Sequence, residues 1–149
     1  MRKTLLGLLF ISSLLFEAKA QTINYATAGS TATQDFNTLP TSGTQAITTP
    51  FDLSASPVSA TGMGGWYVSK VGGTIANLIG GTGSSNTGGA YNFGSTSATD
   101  RCLGALASAN IPRLGVLLTN NTGTTLTTFT VTFTGEQWRN GGSNNVNTL

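Results

Sequence analysis

An all-β fold, an antiparallel β-sandwich of jelly-roll type, is what this sequence predicts, on three observations. Within residues 126–135, positions 128–134 alternate strictly between hydroxyl and apolar side chains. The other apolar runs are short and divided by Gly, Asn and Ser, the pattern of a sandwich or barrel. After residue 20 no stretch holds a helical period over a useful length. Thr, Gly, Ser and Asn make up about half of residues 21–149. Thr favours strands and the other three favour turns. About a dozen aromatic residues and the alternating run argue against a disordered low-complexity chain.

Residues 1–20 read as a secretory signal. Arg2 and Lys3 precede an apolar run of about thirteen residues, 4–16, and Ala18-Lys19-Ala20 supplies a small-x-small cleavage site before Gln21. Spanning a bilayer takes roughly twenty apolar residues, so the run is too short for an anchor. No later stretch is long or apolar enough. The expected product is secreted, either extracellular or held at the cell surface, as one β-sandwich domain over residues 21–149.

In chain order, residues 22–25 predict an edge strand. Residues 51–53 and 75–79 are weaker strand candidates. Residues 65–71 carry Trp66, Tyr67, Val68 and Val71, and residues 89–94 carry Tyr91 and Phe93. Between these last groups lies a polar, Gly-rich loop, with neither G-x-G-x-x-G nor Gly-Lys-Ser/Thr to cradle a phosphate. Residues 101–106 form a further apolar run. Residues 114–119 and 126–135 flank Asn120-Asn121-Thr122-Gly123, a hairpin signal that predicts antiparallel pairing of the two runs. In the second run Phe129, Val131 and Phe133 share one face and the threonines the other.

Charge and cysteine exclude several chemistries. The chain has 7 Lys+Arg and 5 Asp+Glu. The signal removes three cations and one anion, so residues 21–149 carry 7 − 3 = 4 of one sign and 5 − 1 = 4 of the other. Four scattered cations make no phosphate-binding cluster, and nucleic acid is not an expected partner. Cys102 is the only cysteine and there is no His. An intramolecular disulfide and the His-dependent nucleophilic arrangements are excluded, and zinc is disfavoured. Cys102 reads as a small buried hydrophobe, against the alternative of a nucleophile. Asp35, Asn37 and Asp52 offer oxygen ligands for a structural calcium, but no Asp-x-Asp-x-Asp-Gly loop is present. No metal or other cofactor is expected.

The foremost candidate ligand site is the block Glu136, Trp138, Arg139 and Asn140. If the strand continues past Gly135, Glu136 and Trp138 share the threonine face, and an exposed indole flanked by polar groups suits a sugar. If Gly135 carries a bulge, Trp138 plugs the core and Glu136 pairs with Arg101 or Arg139; this structural reading is preferred. Trp66 and Tyr67 must face opposite ways. One therefore belongs to the core and the other outside, and the outward one is a weaker candidate platform; Trp66 would serve with Trp138 in a carbohydrate-binding module. Asp100 and Arg101 form a surface or a buried pair. Four carboxylates, mostly in loops, give no support to glycoside hydrolysis.

Several blocks carry a family likeness: Gln34-Asp35-Phe36-Asn37-Thr38-Leu39-Pro40, Phe93-Gly94-Ser95-Thr96, residues 100–108, Asn120-Asn121-Thr122-Gly123 and Gly135-Glu136-Gln137-Trp138-Arg139-Asn140-Gly141-Gly142. Together they resemble a family of secreted β-sandwich modules. Those modules sit near the N-terminus of large extracellular proteins of Gram-negative environmental bacteria, often ahead of nuclease-like, lamin-tail-like or secretion-sorting domains. The resemblance implies location and architecture and no activity. Cys102 departs from it, standing where a small residue such as Ala is usual. The resemblance also implies strands beyond Val146-Asn147-Thr148-Leu149, so the domain is expected to be truncated at its C-terminus. The expected role is non-enzymatic: a module for surface display, adhesion or spacing. The alternatives are a carbohydrate-binding module for cell-surface or environmental polysaccharide, and an accessory part of a secreted hydrolase. The sequence leaves the oligomeric state open.

Overall fold

The computed structural model describes residues 21–47, 53, 63–108 and 111–142. The signal sequence expected at residues 1–20, Phe51, Asp52 and the strand expected at Val146 to Leu149 lie outside them. The described residues are all-β and contain no helix. The strands are β1 (Ile23–Tyr25), β2 (Thr44–Ala46), β3 (Trp66–Lys70), β4 (Asn77–Gly81), β5 (Gly89–Phe93), β6 (Cys102–Leu106), β7 (Pro112–Val116) and β8 (Leu118–Asn120). No helix among the described residues is long and apolar enough to cross a membrane.

Three ladders form. The largest is a mixed sheet in the order β2-β4-β5-β6, in which β5 runs parallel to β4 and antiparallel to β6. β3 pairs antiparallel with β7, and β1 pairs parallel with β8. None of the ladders closes on itself.

The expected hairpin between residues 114–119 and 126–135 does not form. Its turn does: the Asn120 side chain accepts from the Thr122 amide at 3.1 Å and donates to the Thr124 carbonyl at 2.8 Å, and Gly123 takes a φ of 75°. The strand before the turn finds distant partners instead. Leu117 donates to Gly65 and accepts from Ile23, each at 2.8 Å, and so divides the run into β7 on β3 and β8 on β1. Residues 121–142 contain no strand, and Phe129, Val131 and Phe133 are 77%, 67% and 74% exposed. Alternation specifies a strand's two faces but says nothing of which edge it joins.

The core lies against one face of the mixed sheet. Leu39, Leu53, Met63, Val68, Ile75, Leu78 and Ala90 form it, with Phe36, Ile47, Trp66 and Leu103 packed around them. Side chains alternate along β5, so Ala90 and Asn92 share the core side while Tyr91 and Phe93 lie on the other. All four are buried. The central strand is thus covered on both faces, which is what positions the candidate site.

Candidate functional site

The second face of the sheet is an aromatic row. Tyr91 and Phe93 stack with ring centroids 5.0 Å apart at 10°. The register brings Ile79 and Gly104 beside Tyr91, and Gly81 and Cys102 beside Phe93. A Cβ on Gly104 would fall 2.7 Å from the Phe93 ring, so the glycine is what lets that ring lie across β6. Trp138 continues the row, stacked on Phe93 at 6.2 Å and 7°.

The Glu136–Asn140 block is held down on this row. Trp138 Nε1 donates to Glu136 Oε2 at 2.8 Å. Arg139 donates from Nη1 to the carbonyls of Gly83 at 3.3 Å and Ser84 at 3.0 Å, in the loop between β4 and β5. Gly83 (φ 84°) leaves no room for a side chain against the Trp138 carbonyl. Asn140 Oδ1 accepts from the Gly142 amide at 3.1 Å, a local turn. Trp138 and Arg139 are half-buried, and Glu136 and Asn140 exposed.

Trp138 lies half-buried on Phe93, on the face of the sheet away from the core rather than plugging it, and the expected Glu136 pairing with Arg101 or Arg139 does not form. Glu136 meets the indole, and both guanidiniums go to carbonyls. Without a strand beyond Gly135, neither continued alternation nor a bulge sets the direction of Trp138; contact with Phe93 does.

Cys102 lies under the same block. Partial burial is the main cause that pushes its thiol up to about 11; the nearby Glu136 carboxylate raises it further, and hydrogen bonds from Trp138 and from the Phe93 backbone act the other way. A thiol so shifted is protonated at neutral pH and is a poor nucleophile.

Trp66 is separate. It meets Phe36 edge-on at 4.8 Å and 76° and packs against the core, with a buried Nε1 that finds no hydrogen-bond partner. Of the Trp66–Tyr67 pair, Trp66 is therefore the core member; Tyr67 donates its hydroxyl to the Gln21 carbonyl at 2.5 Å. The block's contacts run to Phe93, Gly83 and Ser84 rather than to Trp66.

A second cluster, not anticipated as a unit, ties together segments remote in sequence. Arg101 is 3% exposed, and its guanidinium donates to the Asn92 carbonyl and side chain and to the Ser95 carbonyl. Its backbone amide donates to Asn37 Oδ1 at 2.9 Å, and Asn92 Nδ2 donates to the Pro40 carbonyl. Asp100 is exposed, so the two neighbours form no buried pair. Asp35 Oδ1 accepts from the Asn37 amide at 3.0 Å. The Asp35 and Asn37 oxygens proposed for calcium thus hold backbone amides, and Asp52 lies outside the described residues. An open cleft of about 430 Å³ is lined by Lys70, Ile79, Thr87, Leu106, Ser108 and Pro112 among others, and by none of the candidate residues.

The blocks at residues 34–40, 93–96, 100–106 and 136–140 therefore meet around the C-terminal end of β5. No family model, curated protein or solved structure matches the chain.

Proposed function

We propose that the chain is a non-catalytic, secreted β-sandwich module of jelly-roll type, used for surface display, adhesion or spacing. One observation carries this reading: Trp138, Glu136 and Arg139 are engaged with one another's neighbours within the fold, not gathered around an open cavity. Residues so used secure a loop and cover a sheet. The protonated Cys102 thiol adds support, since the one candidate nucleophile is unactivated.

A carbohydrate-binding module is the second reading, favoured by the half-exposure of Trp138 beside exposed Glu136 and Asn140. An indole at the end of an aromatic row offers a sugar a flat apolar face with polar groups at its rim. Retention on insoluble polysaccharides and binding to a glycan array separate the two readings. The first expects no retention by the wild type, and a lower melting temperature for Trp138→Ala, by about 1–3 kcal/mol of lost packing. Retention that Trp138→Ala abolishes while the melting temperature holds would replace it with the second.

A further inference from the structure

We propose that residues 128–134 are a self-complementary strand through which two copies of this chain pair antiparallel, about a two-fold axis at Val131. The segment Thr128-Phe129-Thr130-Val131-Thr132-Phe133-Thr134 reads the same in both directions. A two-fold axis through Val131 sets every residue opposite its own kind: Val131 on Val131, Phe129 on Phe133, Thr130 on Thr132 and Thr128 on Thr134. Paired hydroxyls and paired aromatics are favourable cross-strand neighbours. An isologous antiparallel pairing always sets position 131+n opposite 131−n; the palindrome makes each of those pairs like on like.

Three structural facts leave the segment ready for that role. It belongs to no ladder, so its backbone is open to strand addition. Its three apolar side chains are 77%, 67% and 74% exposed. No charged residue lies between Arg113 and Glu136, so pairing opposes no like charges. The two phenylalanines and the valine hold roughly 400 Å² of exposed apolar surface per copy, roughly 800 Å² for two. Edge pairing covers the backbone and the flanks of these side chains, so only part of that surface is buried and the interface falls below the usual size of specific ones. The expected dimer is weak and concentration-dependent. The proposal does not depend on the reading of Trp138.

The test uses protein expressed from the full chain. Sedimentation across a dilution series is expected to show a monomer–dimer equilibrium. Val131→Lys, which opposes two cations at the axis, is expected to weaken the dimer roughly tenfold or more. Register is read by mild oxidation in a Cys102→Ala background. Val131→Cys is expected to form a disulfide-linked dimer by itself. Phe129→Cys should do so only when mixed with Phe133→Cys, because equivalent 129 positions are four residues out of register, roughly 13 Å. These exposed positions can change without cost to the core. A monomer at every concentration, including one whose 131 position is shielded by another segment of its own polypeptide, overturns the proposal. So does a dimer that survives Val131→Lys, cross-linking as ready at 129 alone as at 131, or growth beyond the dimer.

Discussion

The thiol of Cys102 owes its environment to register. Pairing with Phe93 places it on the aromatic face of the sheet, where the Glu136–Asn140 block descends. Burial, and then the Glu136 carboxylate, raise its pKa from the ordinary 9.0 to about 11. In the unfolded chain the thiol ionises near 9, whereas in the fold it stays neutral for longer. Its contribution to stability is therefore complete below pH 9 and is lost as pH rises towards about 11. Other groups titrate in that range, so the comparison has to be between variants. Cys102→Ala is expected to flatten the fall in urea midpoint between pH 9 and pH 11 relative to wild type. An identical slope in the two proteins would remove the thiol from the account. The effect is small, because the side chain is only half-buried and water screens it.

The connection between β4 and β5 sets the problem at the scale of elements. These strands are parallel, yet only residues 82–88 join them, where crossovers usually need a dozen or more. Seven residues reach roughly 25 Å at most, enough for the return of about 14 Å along a five-residue strand but too few to add a helix. Arg139 holds that span by two carbonyls, and Tyr91 by the Thr87 carbonyl at 2.6 Å. Arg139→Ala is expected to speed amide exchange at residues 83–88 while leaving β6 protected, at a cost of about 1 kcal/mol for a half-exposed charged donor. Uniform acceleration across the sheet would show instead that the block supports the whole fold. Most strands were legible beforehand because each buries apolar residues between turn signals: β1, β3, β5 and β6 lie within the runs that announce them, and β4 is displaced by two residues from its weaker signal. β2, Thr44-Gln45-Ala46, has no apolar run to announce it. The partners of residues 114–120 were not legible, since long-range edges leave no local trace. The block's contact with Phe93 was hidden for the same reason, although its importance was visible as a cluster of Glu, Trp and Arg in a chain poor in charge.

At the scale of the whole molecule, the question is what joins the N-terminal segment, β5 and β6. The hydrophobic cluster joins them on one side, and Arg101 does so beneath the end of β5. Its contacts among the described residues are neutral acceptors: the Asn92 carbonyl and side chain, and the Ser95 carbonyl. A guanidinium taken out of water without a carboxylate pays a desolvation penalty that these bonds must offset. Its Nε also lacks a partner. Two substitutions resolve the sign. Arg101→Ala strips three acceptors of their donor and leaves a void beside Gly94, for an expected loss of about 3–5 kcal/mol. Arg101→Met strips the same acceptors but fills much of the void and removes the buried charge, so its loss should be smaller, about 1–3 kcal/mol. Urea unfolding followed by tryptophan fluorescence measures both. Equal losses would mean that the guanidinium's hydrogen bonds, not its packing, hold the Asn92 and Ser95 segments together; a gain on Arg101→Met would mean that the charge is a net burden kept for positioning alone.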